Sequence, residues 1–252
     1  MAAVAAERGM RVLAVDLDPR FTLTKELGVV DPPFTVNDLL YVDPDGPPPG
    51  DPAELVHDAV VAAGPNWPSA VRVLPSERPF ARRETDSTSG MELRLKRALD
   101  GLRGEVDLVV MDCPPRAGGK LVGAAMIAAT HVLIPATLTE DGYDGAVEAL
   151  RSISHFTAPG GANPNLLVAG VVRSIVPRDG EMRDVHRHHQ KVMLDEFGDL
   201  VLDTVIRSYA VREECRTACV PITAAPGREA KLLAAAYGQV LDRVLATRKE
   251  AV

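Results

Sequence analysis

The chain is short of aromatic residues: one Trp, four Tyr and five Phe make up 4% of 252 residues. A core without them must be built from Ala, Val and Leu, and an apolar fraction of 46% supplies enough for a sizeable globular interior. Cysteine is scarce too. Cys113, Cys215 and Cys219 are an odd number, which excludes a fully paired disulfide framework and fits reduced thiols. Cys215 and Cys219 follow His186, His188 and His189, but their spacing matches no standard zinc-ligand pairing, and the plainer expectation is small packing residues beside a solvated helix face. No apolar run reaches the roughly 20 residues that span a bilayer. Met1 to Ala6 lacks the charged start and apolar length of a secretory signal, so a cytoplasmic protein with no membrane partner is expected. Positive charge is in deficit: 28 Lys and Arg against 35 Asp and Glu leave a net charge of −7, which argues against wholesale coating of nucleic acid while allowing a local basic patch.

What is present is an alternation of apolar strands and helical patterns. Strands are expected over 11–15, 71–74, 108–111, 131–134, 166–172 and 202–206. Helices are expected over 35–40, 52–63, 91–102, 120–129, 144–156, 182–197 and 230–248. That order means βαβ units, hence an α/β fold with an open, mostly parallel sheet and helices on both faces. The Pro- and Gly-rich stretches 43–52 and 158–164 read as surface loops. Neither is flanked by a change in composition, so residues 1–252 are expected to form a single domain. Residues 1–9 read as the last turns of a helix capped by Gly9.

The chemistry collects at strand ends. Arg11-Val12-Leu13-Ala14-Val15-Asp16-Leu17-Asp18-Pro19-Arg20 is an apolar strand closing on two acids that point the same way. Val106-Asp107-Leu108-Val109-Val110-Met111-Asp112-Cys113-Pro114-Pro115 repeats the design and leaves through a stiff, extended diproline segment. Ligands of open α/β sheets gather outside the carboxyl ends of the strands. Carboxylates there suit a hydrated Mg²⁺ on a triphosphate and the orientation of an attacking water. The plain alternative makes Asp18-Pro19 a turn and Asp16 a helix cap. A rival enzyme reading takes Asp16 as the nucleophile of a haloacid-dehalogenase-type phosphatase. That pattern wants Thr or Val two residues after the second Asp, where this chain has Arg20.

The first of these segments, followed by Leu27-Gly28-Val29, resembles the second strand and switch I of ParA/Soj-type partition ATPases, of the MinD-like P-loop superfamily. Leu95-Lys96-Arg97-Ala98-Leu99 leading to Asp112-Cys113-Pro114-Pro115 resembles their Walker B strand and switch II. Val132-Leu133-Ile134-Pro135 with Gly145, and Val205-Ile206 through Glu214 to Pro221-Ile222, resemble the later strand and the C-terminal nucleotide-side segment. The resemblance covers essentially the whole chain in order. It implies ATP and Mg²⁺ as cofactors, Asp18 as the residue that orients the attacking water, and Asp16 and Asp112 as indirect supports of Mg²⁺. It places Cys113, Pro114 and Pro115 in switch II, and Arg207 and Glu214 on the nucleotide side. It also implies a homodimer closed by ATP, a ParB-like centromere-binding partner and non-specific DNA in chromosome or plasmid partitioning, with cytoplasmic, nucleoid-associated localisation.

The family's Lys-Gly-Gly-x-Gly-Lys-Thr-Thr loop has no counterpart in these residues and is expected just upstream of Met1, so the first strand and phosphate loop are expected to be missing from the fold. Gly118-Gly119-Lys120 lacks the spaced first Gly and the trailing Thr and does not replace it. ATP binding by this chain is therefore expected to be poor, and a non-catalytic scaffold or interaction protein is the competing reading. Candidate DNA contacts are Arg178, Arg183, Arg187, Lys191, Arg212 and Arg216, interleaved with acids that equally suit a solvated, ion-paired surface.

Overall fold

The computed structural model describes residues 1–43, 45–47, 50–86, 90–116 and 118–250, without the side chains of 248–250. Pro44, Pro48 and Pro49 of the first predicted loop lie outside the described residues. In chain order the elements are α1 (Ala2–Glu7), β1 (Val12–Asp16), α2 (Thr22–Glu26), α3 (Val36–Leu40), α4 (Pro52–Ala59), β2 (Val61–Ala62), β3 (Val71–Leu74), α5 (Met91–Gly101), β4 (Leu108–Asp112), α6 (Lys120–Ala128), β5 (His131–Ala136), α7 (Glu140–Thr157), β6 (Leu167–Val176), α8 (Asp184–Phe197), β7 (Val201–Arg207), α9 (Ala210–Thr217) and α10 (Arg228–Glu250). This is the α/β alternation that the hydrophobic pattern predicts, with mostly parallel strands and helices packed on them.

Residues 2–129 with 215–221 form one compact unit. Its sheet has the order β2-β3-β1-β4, with β1 parallel to both β3 and β4 and only β2 antiparallel. β1 is central and all five of its residues are buried. Leu13, Val15 and Leu17 pack with Leu39, Leu40, Leu95 and Leu121 in an aliphatic core in which Phe80 is a buried aromatic. Residues 130–214 and 222–252, with Met1, form the second unit, whose parallel sheet has the order β5-β6-β7. There Val172, Leu202 and Val240 are the buried centre of a cluster. Among the described residues no helix is long and apolar enough to cross a membrane.

Local signals account for most boundaries. Gly9, at φ +82°, ends α1 in the left-handed region that glycine enters without strain. Asp51 caps α4 by accepting from the Ala53 N–H at 3.1 Å, with Pro52 at the first helical position. The helix expected over 52–63 stops at Ala59, because the β-branched Val61 is drawn with Ala62 into antiparallel pairing with Val73 and Arg72. β4 reads as a fully buried strand, yet Leu108 to Met111 are only partly covered, since β4 lies at the edge of its sheet. α2 and α9 have no counterpart in the expected helices.

The entry ends of β1 and β4 are clamped by one ion pair. The Arg11 backbone N–H and Nε donate to Asp107 Oδ2 at 2.8 and 3.0 Å, and Arg11 Nη2 donates to Oδ1 at 2.7 Å. These bonds hold the Asp107 carboxyl well below the usual carboxylate range. A carboxyl whose folded pKa lies below its unfolded value adds stability above the unfolded pKa and loses it as pH falls towards the folded one. Urea unfolding of the native chain and of Asp107→Asn should therefore differ at pH 7 and differ less at about pH 3, below the unperturbed carboxylate pKa. An equal difference at both pH values would remove the clamp. The pair is exposed, so the effect is small.

Candidate functional site

The strands bring the expected acids together. Asp16 ends β1 and Asp112 ends β4, and the two are register partners in the parallel ladder. The Leu17 N–H donates to the Asp112 carbonyl at 2.8 Å and carries the ladder one step past the strand ends. The loop Leu17-Asp18-Pro19-Arg20 then leaves the carboxyl rim of the sheet.

Asp16 is wholly buried. Its Oδ1 accepts from the Asp18 N–H at 3.1 Å, and its Oδ2 accepts from the Thr24 N–H at 2.8 Å and Thr24 Oγ1 at 2.7 Å. The same Thr24 hydroxyl oxygen accepts from the Ser76 N–H at 2.9 Å. One carboxylate thus ties the end of β1 to α2 and, through Thr24, to the segment after β3. Burial raises the Asp16 pKa, and the Thr24 bonds oppose the rise. Thr24 and Ser76 were not singled out by sequence, because their role depends on a chain path that no local spacing encodes.

Asp18 is 5% exposed, and its carboxylate is held by its neighbour. Oδ1 accepts from the Arg20 N–H at 2.9 Å, and Oδ2 accepts from Arg20 Nε at 2.9 Å, with Nη2 at 2.8 Å. The turn is tight: Phe21, next in line, sits at φ 47° and ψ 40°, a left-handed conformation uncommon for an aromatic residue. Strain of this kind persists only where surrounding structure over-determines it. The position that set this chain apart from the phosphatase pattern, Arg20, is the cation that compensates the acidic rim.

Asp112 differs from the other two. Its carboxylate makes no hydrogen bond or ion pair among the described residues. It keeps solvent access, yet the surrounding protein pushes its pKa up to about 6, with the charges of Asp16, Asp18 and Glu26 adding to the rise and Arg20 opposing it. Beyond it Cys113 is half-buried, with its thiol pushed up to about 12 by burial and by Asp112. Pro114 is buried and Pro115 exposed. The Arg116 N–H donates to the Pro114 carbonyl at 2.7 Å, so the diproline exit is a closed turn.

These residues fit Mg²⁺ held through water. Among the described residues no set of three or more His, Cys, Asp or Glu is arranged to ligate a metal directly. A free carboxylate beside two engaged ones suits a hydrated cation, because Mg²⁺ sheds its waters reluctantly and takes few protein ligands. Gly119 and Lys120 offer no substitute phosphate cradle. The Lys120 N–H donates to Glu84 Oε2 at 3.0 Å and the Lys120 ammonium to the Asp86 carbonyl, so both face acceptors.

The remaining candidates lie elsewhere in the fold. Arg207 donates to the Pro177 carbonyl at 2.9 Å and to Asp179 Oδ1 at 2.7 Å, and Glu214 is exposed on α9. Arg178 pairs with Glu229 at 2.7 Å and lies over the Tyr209 ring at 5.4 Å; Arg187 pairs with Asp184 at 3.2 Å. The Arg183 N–H donates to His186 Nδ1 at 3.2 Å at the start of α8. Lys191 and Arg216 are exposed and Arg212 is half-buried. Arg216 falls in the unit of residues 2–129 and 215–221, the other basic candidates in the second unit.

Comparison with known proteins sharpens this geometry. A family model described as an AAA domain matches residues 1–168. The chain is 27% identical over 178 residues to the sporulation initiation inhibitor protein Soj of Bacillus subtilis (strain 168), covering 70% of this chain and 65% of Soj, so it spans less than two thirds of that relative. It is 28% identical over 236 residues to the chromosome partitioning protein ParA of Myxococcus xanthus (strain DK1622), covering 88% and 73%. Among solved structures, cobyrinic acid a,c-diamide synthase from Mycobacterium smegmatis with bound ATP analog and magnesium is similar, with a TM-score of 0.68 and 28% identity over 86% of this chain and 82% of that one.

Proposed function

The chain belongs to the AAA domain family, and from that premise we propose that it is a ParA/Soj-type partition ATPase whose acidic rim manages a magnesium-bound triphosphate to drive a partition switch. The observation that carries this reading is the Asp16–Asp112 register, which sets Asp18 and Asp112 within electrostatic reach of each other at adjacent strand ends. Magnesium, when bound, neutralises phosphate charge. Asp112 would hold the hydrated ion through water, and Asp18 would orient the water that attacks the γ-phosphate. Asp16 supports the site indirectly, because it fixes the loop that carries Asp18. Cys113, Pro114 and Pro115 form the stiff segment that responds to the γ-phosphate, with Arg207 and Glu214 on the nucleotide side.

In this reading residues 1–252 act as one domain, ATP closes a homodimer that binds DNA non-specifically near the nucleoid, and a ParB-like partner stimulates hydrolysis. Arg178 and Arg187 must then exchange Glu229 and Asp184 for phosphates, while Lys191 is already available. Binding to random duplex should fall steeply with salt; no measurable affinity at low salt would remove the DNA part.

The 252 residues contain no Lys-Gly-Gly-x-Gly-Lys-Thr-Thr segment, and carboxylates without backbone amides and lysines repel a triphosphate. The decisive assay compares ATP turnover by this chain with turnover by the same chain joined to a phosphate-loop strand of the family. Turnover is expected only in the joined form. There Asp18→Ala should lower it by about 10²–10⁴-fold, the usual worth of a positioned acid–base group, while ATP binding survives. Retained turnover in that variant would take the role from Asp18. The absence of turnover in the joined form would leave the second reading, a non-catalytic scaffold, which the closed Asp18–Arg20 pair favours.

A further inference from the structure

Beside Asp18 of the acidic rim, and sharing Arg20 with it, lies a basic hollow. An open cavity of about 500 Å³ is lined by Pro19, Arg20, Thr22, Lys25, Arg78 and Ala81. Three of those six side chains are cations and none is an acid. Lys25 and Arg78 are exposed and have no carboxylate partner among the described residues. Lys25 sits over the Phe21 ring with its ammonium 3.7 Å from the centroid, which holds the charge at the mouth of the cavity without neutralising it. Arg20 is the shared member: its side chain is 68% exposed, lines the cavity and also grips Asp18.

We propose that this cavity binds a compact phosphate-bearing anion, with Arg20, Lys25 and Arg78 as its ligands, and that the anion competes with Asp18 for Arg20. Guanidinium groups engage phosphate bidentately and lysine adds a point charge. Two unpaired cations and a third shared with Asp18 around one concavity suit a small di- or trianion. An extended polyanion fits less well, because Asp18, paired with the shared Arg20, and Asp112, whose charge acts on that same arginine, would repel phosphates running past the mouth. When Arg20 turns towards the anion, Asp18 loses the guanidinium that holds Oδ2 and is left free to accept from water. This coupling rests on the reading of Asp18 given above; the binding itself does not.

Titration of the 252-residue chain with inorganic pyrophosphate, followed by calorimetry and phosphorus NMR line width, tests both parts. Saturable binding that weakens at least tenfold in Lys25→Ala/Arg78→Ala is expected; both residues are exposed, and circular dichroism checks that the variant folds. Asp18→Asn, which weakens the hold on Arg20 and keeps the side chain's shape, should tighten pyrophosphate binding severalfold. Affinity unchanged by Lys25→Ala/Arg78→Ala overturns the site. Tenfold weakening there with no change in Asp18→Asn overturns the coupling alone, and neither readout involves ATP turnover, so the proposed function stands or falls separately. Duplex DNA at equal phosphate concentration is the second arm. If DNA binds with dependence on Lys25 and Arg78 while pyrophosphate does not, the compact-anion assignment is overturned.

Discussion

Asp16→Ala is expected to cost about 3 kcal/mol or more of folding stability, because it strands three buried donors at about 1–3 kcal/mol each. The donors are the Asp18 N–H, the Thr24 N–H and the Thr24 hydroxyl. An opposing effect exists: burial raises the Asp16 pKa, so the native carboxylate is itself incompletely compensated and its removal relieves some strain. The stranded donors decide the sign, since the alanine methyl accepts nothing and no solvent reaches the position. Asp16→Asn should fall between the two, because its oxygen keeps one acceptor while its NH₂ faces a donor. Urea midpoints at constant slope read the difference. A loss below about 0.5 kcal/mol for Asp16→Ala, the scatter of ordinary surface substitutions, would show that the Asp16–Thr24–Ser76 connection does not hold the loop.

A comparable loss is expected in the other unit from Gly170→Ala. Gly170 lies within β6 where one extra residue, Ala169, enters the pairing with β5, and its φ of +145° is reserved for glycine. A Cβ there would fall 2.0 Å from Leu202 Cδ1 and 2.8 Å from the Leu200 carbonyl oxygen. The leucine can turn aside, but the backbone oxygen cannot without moving the start of β7. Unfavourable backbone conformation at about 1–3 kcal/mol and overpacking at about 1–3 kcal/mol together favour a loss of about 3 kcal/mol or more. Thermal unfolding should record it as a drop of several degrees, and an unchanged midpoint would mean that β6 and β7 adjust freely.

How much of this was legible depends on the range of the interactions. β1, β4, Asp16, Asp18 and Asp112 were readable because apolar runs and turn residues act over a few positions. α2 was not, because a helix of five residues is too short to stand alone and is held by the bonds from Thr24 to Asp16. Arg20 was noticed only as a departure from another family's pattern; that it bridges back to Asp18 and lines a cavity with Arg78 is a fact of three dimensions. Of the expected DNA contacts, sequence distinguished none, and the structure separates Arg178 and Arg187, already paired with acids, from the exposed Lys191.

The amino-acid order by itself determined the alternation of strands and helices, the parallel pairing that follows from it, and the gathering of carboxylates at strand ends, because hydrophobic periodicity and turn chemistry are local properties. Tertiary structure alone decided which of those carboxylates is consumed in holding a loop, which is clasped by a guanidinium and which stays free. Hydrogen-bond partners and burial depend on where distant segments of chain meet, and no spacing within a strand records that.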